Sequence, residues 1–421
     1  MARYTRGDPQ GGQKGAFSPR NWQSPIRGPW LTSVFGLVLL IGIPVEFVTG
    51  LLSMAAYNPK LDQFPNANRG LFGFYLFSWP THPSWLYRAV EGAHVMLGLV
   101  LVPVVLAKLW SVMPKLFVRP AWRSVAQMIE RLSLVLVVGG IVFELTTGIL
   151  DIDYASGINF YSGHFYGAWA FMAGFVLHVC IKAGDMVQGL RSRSLRVELR
   201  TGLDRTVPEA PGSDLVAQEP APPTISRRGA LALVGGSSLV ILLTTVGEAT
   251  GGQLRRLAVF GTHYRLLGRG PNDFPVNHTA AAKGITTAST GPDWRLSLEG
   301  HGRVYLSRNQ LVALSLRTAN LPIACTEGWS TQQRWTGVPL ADLARLAGVT
   351  NPGRATLQAL DGNTVVLSGE QLSAPSSLLA LRVNGADLSL DHGFPARVIV
   401  PAMPGSYNLK WMSRITFSEE A

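Results

Sequence analysis

Cysteine occurs twice in 421 residues. Cys180 sits inside a long apolar run. Cys325 sits in LPIACTEGWS, where an apolar stretch gives way to a polar, turn-prone Thr-Glu-Gly-Trp. A lone cysteine commonly serves as a small buried hydrophobe, whereas its thiolate is a soft donor suited to a redox-active metal. Residue type alone leaves both readings open. Three histidines, His94, His164 and His178, lie in apolar surroundings. Such histidines are costly in a bilayer, and two at like depth suit axial ligation of a b-type haem; the plainer reading is a satisfied interfacial polar group. Near the C-terminus, DHGFPARVIVPAMPGSYNLKWMSR (391–414) places His392, Arg397 and Lys410 close together. An Arg and a Lys converging from neighbouring strands could hold a phosphate.

Two kinds of element must position these groups. The chain is 47% hydrophobic and 15% charged, with mean hydropathy +0.19. Its apolar residues concentrate in 31–55, 87–110, 127–150, 164–188 and 230–246, lengths suited to membrane spans. The net charge of +11 follows the positive-inside pattern and does not point to nucleic acid. Arg3, Arg6, Lys14, Arg20 and Arg27 precede the first span. Lys108, Lys115, Arg119 and Arg123 follow the second, and Lys182, Arg191, Arg193, Arg196 and Arg200 the fourth. The expectation is a multi-pass plasma-membrane protein in contact with lipid. Its N-terminus is cytoplasmic, and loops 56–86 and 151–163 lie outside. Residues 1–30 form a tail, 31–190 a four-helix membrane domain, 191–228 a cytoplasmic linker and 229–247 a fifth span. The Pro- and Ala-rich stretch 201–226 predicts disorder. The fifth span carries 248–421 outside. Ser226-Arg227-Arg228 with Leu231 resembles a twin-arginine export signal, although Ala230 and Ala232 depart from it; an ordinary basic flank is the other reading.

The membrane half repeats itself. EFVTGLL (46–52) matches ELTTGIL (144–150), and each is followed by a span with a histidine near its outer end, His94 and His164. Hairpins repeated in one orientation imply a pseudo-two-fold axis along the membrane normal, which sets these histidines at like depth. Gly50 and Gly148 would admit a flat macrocycle. Fourteen residues separate His164 from His178, so one helix could serve two stacked haems, about 21 Å apart. Here the segment 27–190 resembles the four-helix cytochrome b subunits of formate dehydrogenases and nickel hydrogenases. That resemblance implies one outer haem held by His94 and His164. An inner haem at His178 lacks its usual partner, because Arg27-Gly-Pro-Trp30 stands where the family has a histidine. Glu46, Glu91 and Glu144 read as side chains that snorkel toward water, or alternatively as proton carriers at a quinol site.

Beyond 270, WRLSLEG, GRVYLSR, TVVLSGE, ALRVNG, ARVIVPA and SRITFS predict strands, and VPLADLARLAGV a helix. The fold class is therefore a helical transmembrane region followed by a β-rich α+β domain. The D-H-G-F-P-x-R, V-x-V-P and K-W signature resembles the sulfite oxidase family of molybdopterin enzymes. The resemblance implies that Cys325 binds molybdenum. It also implies that His392, Arg397 and Lys410, with Asn277 and His278 of FPVNH, hold the pterin cofactor and its phosphate. Trp329, Tyr407 and Trp411 could wall the pocket or belong to the core. Two features depart from sulfite oxidases: the dimerisation domain does not follow, and Thr326-Glu327-Gly328-Trp329 replaces basic residues. The latter resembles the periplasmic methionine-sulfoxide reductase branch, and Glu327 would disfavour an anionic substrate. Together these features imply an oxidoreductase acting on a small molecule, passing electrons through haem b to a quinone or another carrier. The competing reading is a cofactor-free binding or assembly module on a membrane anchor.

Overall fold

The computed structural model describes residues 22–57, 79–116, 124–152, 160–217, 219–261 and 268–419. The basic residues Arg3, Arg6, Lys14, Arg20, Arg119 and Arg123, and most of the two expected outer loops, fall outside these. Among the described residues, five helices are long and apolar enough to cross a membrane: α1 (Pro29–Ala56), α2 (Leu86–Leu116), α3 (Val125–Ile152), α4 (Phe160–Arg191) and, after a single turn α5 (Leu195–Glu198), α6 (Arg227–Thr250). Each expected span falls on one of them. Leu, Val and Ile dominate α1, whereas α4 is richer in Phe, Gly and Ala.

Residue contacts divide the chain into two compact units. The first comprises Met1–Val45, Leu99–Leu145 and Gly167–Val240. Small residues bring its helices together. A Cβ on Gly42 of α1 would lie 2.9 Å from Leu101 of α2, and one on Gly174 of α4 would lie 2.5 Å from Leu136 of α3. Ser238 of α6 donates to the carbonyl of Val100 at 2.8 Å. In this unit the stretch between α4 and α6 differs from the disordered linker that its composition predicts. Arg193 meets Glu198 and Glu209, both at 2.9 Å, and Arg227 meets Glu209 at 3.0 Å. Arg227 is only 1% exposed. Backbone bonds Glu209 N to Pro25 O and Ala221 N to Gln23 O fasten the segment further. Opening this cluster would leave buried charges uncompensated, which is strongly unfavourable.

The second unit, Glu46–Gly98, Thr146–Tyr166 and Ile241–Ala421, groups one set of helix ends with the C-terminal domain. This grouping differs from a division near 190 and 248, for a physical reason. Ala55, Ala56, Tyr57, Trp79 and Tyr87 belong to the same apolar core as Leu296, Leu357, Val398 and Met403. Trp79 Nε1 donates to Ala402 O at 2.7 Å, and Tyr407 donates through its hydroxyl to the carbonyl of Tyr57.

The domain is built on two sheets. The first has the order β2 (Arg303–Ser307), β1 (Arg295–Glu299), β10 (Met412–Glu419), β5 (Pro352–Ala359), β6 (Thr364–Ser368), with β1 and β10 parallel. The second runs β3 (Arg317–Ala324), β4 (Ser330–Pro339), β7 (Leu378–Val383), β8 (Ala386–Asp387), with β9 (Arg397–Ile399) also paired to β7. Helices α7 (Arg308–Val312), α8 (Leu340–Leu346) and α9 (Gly369–Ser373) fill connections; α8 is the helix expected from VPLADLARLAGV. Strands β3, β4 and β5 were not among the expected ones. Pro322 inside β3 and the polar STQQ opening β4 mask their alternation.

Candidate active site

Cys325 lies in the hairpin between β3 and β4. Ala324 pairs with Ser330, so residues 325–329 form the connecting loop. Cys325 N donates to Trp329 O at 2.9 Å and Gly328 N to Cys325 O at 3.1 Å. The thiol is 6% exposed and packs with Ile323, Trp329, Trp335 and Phe274. Gly405 closes on it: a Cβ there would lie 3.7 Å from Cys325 Cα. Burial, then the carboxylate of Glu327, pushes the thiol pKa up, a bias that a bound cation would reverse. Glu327 is itself 3% exposed and accepts from Trp329 Nε1 at 2.9 Å.

The DHGFPAR segment reaches the same region through β9. His392 is 2% exposed and stacks on Phe274, ring centres 3.6 Å apart. Its Nε2 donates to the carbonyl of Asn272 at 2.8 Å. Burial and the nearby Arg397 lower its pKa to about 3, so the imidazole is neutral. Arg397 lies 5.7 Å from the Trp335 ring centre and donates to His392 O. Lys410 Nζ donates to His278 O at 2.7 Å. Gly393, at φ +104°, makes this convergence possible. A Cβ there would lie 3.1 Å from Lys410 Cα and 3.2 Å from Arg397 Cβ.

Arg397 and Lys410 are 5% and 8% exposed, yet neither has an ion-pair partner among the described residues. Burial lowers their pKa values to about 9 and about 7. Asp391 and Asp361 act on Lys410 only weakly against its burial, and two buried cations without a direct ion pair are costly. In addition, Nδ1 of His392, Nε of Arg397 and Nδ2 of Asn408 are buried with no hydrogen-bond partner among the described residues. Such a set fits an anion that brings several polar atoms of its own, as a pterin phosphate does.

The structure thus gathers Cys325, His392, Arg397, Lys410 and the backbone of His278. Asn277 is exposed and only accepts from His278 N. Asn272 and Asn408 were not expected; the first lies just before FPVNH and the second just before Lys410, where their amides carry no motif of their own. Trp329 packs beside the cysteine, whereas Tyr407 is core and Trp411 packs on Ala280 and Ile285.

In the same unit, His94 of α2 and His164 of α4 face each other with ring centres 6.2 Å apart and planes at 87°. His94 Nδ1 lies 3.1 Å from Glu46 O and 3.3 Å from Thr49 Oγ1; His164 Nδ1 lies 2.9 Å from Thr147 Oγ1. A carbonyl only accepts, so His94 carries its proton on Nδ1 and leaves Nε2 bare. Gly50 and Gly148 back the two rings, 2.9 and 3.6 Å from a built Cβ to each Cε1. Glu91 differs from the snorkelling expectation: it is 5% exposed and accepts from Ser53. Ser53 and the core around Tyr57 and Tyr87 account for this burial. His178 lies in the first unit, lining a cavity of about 690 Å³ with Lys108, Glu130 and Lys182.

A buried thiol near two buried cations that lack an ion-pair partner among the described residues fits a domain that binds a metal and an anion. The chain belongs to the family defined by the oxidoreductase molybdopterin binding domain, which matches residues 283–421, and is a molybdopterin-dependent oxidoreductase. It is 32% identical over 151 residues to the uncharacterized oxidoreductase YuiH of Bacillus subtilis, a match spanning 35% of this chain and 75% of that protein. It is also 32% identical over 98 residues to mitochondrial sulfite oxidase of Mus musculus, which covers 21% of this chain and only 18% of that enzyme. The crystal structure of the sulfane dehydrogenase SoxCD from Paracoccus pantotrophus aligns with TM-score 0.29 at 24% identity, over 31% of this chain and 39% of that one.

Proposed function

We propose that this protein is a membrane-anchored molybdopterin-dependent oxidoreductase that exchanges an oxygen atom with a small, uncharged substrate outside the membrane. Electrons pass through one b-type haem to or from a quinone or another carrier. The buried Arg397–Lys410 pair carries the first part of this reading: a site so charged needs an anionic cofactor. When bound, the molybdenum cofactor supplies two-electron oxygen-atom exchange. Cys325 would hold the metal, Arg397 and Lys410 the phosphate, and His392, Asn408 and the backbone of His278 the pterin edge. Glu327, buried next to Cys325, disfavours an anion in the substrate space. That sets this site apart from one built for sulfite and suits the methionine-sulfoxide reductase branch that TEGW resembles.

The haem rests on His94 and His164. Their ring centres lie 6.2 Å apart, and these two imidazoles are the residues that would hold the haem iron. The hydroxyls of Thr49 and Thr147 lie against the two Nδ1 atoms, outer contacts of the kind that orient a ligating imidazole. The grouping of the outer repeat ends with the C-terminal domain supports an arrangement in which His94, His164 and the molybdenum domain share one side, outside the cytoplasm.

Detergent-purified full-length protein should contain molybdenum and show the visible bands of a low-spin b-type haem. Haem without molybdenum would favour a binding or assembly module, and molybdenum without haem would remove the electron conduit.

A further inference from the structure

The loop that carries Cys325 touches the helix that carries His94. Gly328 sits at φ +82°, and a Cβ built on it would fall 2.7, 2.8 and 3.1 Å from the three side-chain carbons of Val95. Val95 adjoins His94 in α2. Glu91, one turn earlier on the same helix, is near enough to Cys325 to act on it electrostatically. The turn alone asks only for a positive φ, which asparagine tolerates. Close approach to Val95 is what excludes every side chain. The contact is also clamped. Ser330, at the far end of the loop, donates to the carbonyl of Ala249, and Ala249 packs on Gly92 of α2, 3.0 Å from a built Cβ.

We propose that loop 325–329 is the electron contact between the two redox sites, and that Gly328 and Val95 are positioning residues that set the distance across it. This rests on the reading that Cys325 holds molybdenum and His94 a haem. Each crossing moves one electron and no atom: the haem iron changes between Fe(II) and Fe(III) while molybdenum changes by one unit in the opposite sense. Two crossings match one two-electron substrate conversion at one end and one quinone/quinol couple at the other. The backbone of three residues and one valine side chain form the bridge from the cysteine to the histidine's helix. Burial of Gly328 against Val95 keeps water out of that bridge.

The test is flash photoreduction of the holoenzyme. Photoreduced flavin delivers one electron to the haem, and its reoxidation as the electron reaches molybdenum is followed by absorbance. Two variants are compared with the parent: Gly328→Asn, which suits the turn but inserts a side chain against Val95, and Val95→Ala, which leaves the loop intact and opens a gap. With haem bands and molybdenum content at parental levels, both should lose the parental transfer rate, because one forces a side chain into the packed bridge and the other opens a gap in it. Should Gly328→Asn fail to fold, Val95→Ala decides alone. Full cofactor content with parental rates would overturn the electron contact while leaving the cofactor assignment in place. A parent protein without haem or without molybdenum would overturn the assignment itself, and the contact with it.

Discussion

Thr147 Oγ1 lies 2.9 Å from His164 Nδ1, and the equivalent residue of the other hairpin, Thr49, lies 3.3 Å from His94 Nδ1. The duplicated E-x-x-T-G motif thus does the same work twice, setting a threonine hydroxyl against the Nδ1 of each imidazole. Thr49→Val and Thr147→Val should each weaken haem retention by about 10- to 100-fold, the usual penalty for removing an outer-shell partner. His94→Leu or His164→Leu should abolish the b-type bands while molybdenum content is unchanged. Haem titration by pyridine haemochrome checks both; full haem in either leucine variant would refute the ligand pair.

Among the described residues Arg397 and Lys410 sit buried without a direct ion pair, so the cofactor is expected to stabilise the fold and its absence to leave a pH signature. In cofactor-free protein from molybdate-starved cells, burial and the neighbouring Arg397 hold Lys410 at about 7, against 10.5 in the unfolded chain. Between those values the unfolded state binds the extra proton, so stability rises with pH through that window. Below about 7 both states are charged and the penalty is complete. Lys410→Met should therefore stabilise the cofactor-free protein most at or below pH 7, with the gain vanishing toward pH 10.5. Urea melts across this range check it; a gain independent of pH would contradict it.

Gly393 permits Arg397 and Lys410 to converge. Gly393→Ala adds a Cβ about 3.1 Å from Lys410 at φ +104°. It should cost on the order of 1–3 kcal/mol and lower molybdenum content. Thermal melts and metal analysis on the same sample should move together.

Trp79 ties the α1–α2 hairpin to the C-terminal domain through Ala402. Trp79→Ala should cost about 3–5 kcal/mol. The loss should appear in the melting of the molybdenum domain, because its core includes this side chain. An unchanged transition would show that the hairpin is dispensable to that core.

Much of this arrangement was legible before any coordinates. Apolar run length marks the five spans, and the repeated motif sets His94 and His164 together. The DHGFPAR-to-KW signature brings His392, Arg397 and Lys410 to one place. What was not legible depends on contacts distant in the chain. Strands β3 and β4 exist because β3 pairs with β4 and β4 with β7, overriding the Pro and polar residues that hide them. The stretch around Glu198 and Glu209 looks disordered by composition, yet Arg193 and Arg227 bind it. Glu91 looks like a snorkelling carboxylate until Ser53 is found beside it. Gly328 reads as a turn glycine; only the position of Val95 shows that it also marks an approach.

The most direct test is X-ray absorption at the molybdenum edge, comparing the full-length protein with Cys325→Ser. The account predicts molybdenum in the parent, one fewer sulfur neighbour in the variant, lost oxidoreductase activity and an unaltered haem spectrum. An unchanged sulfur shell with retained activity would contradict it.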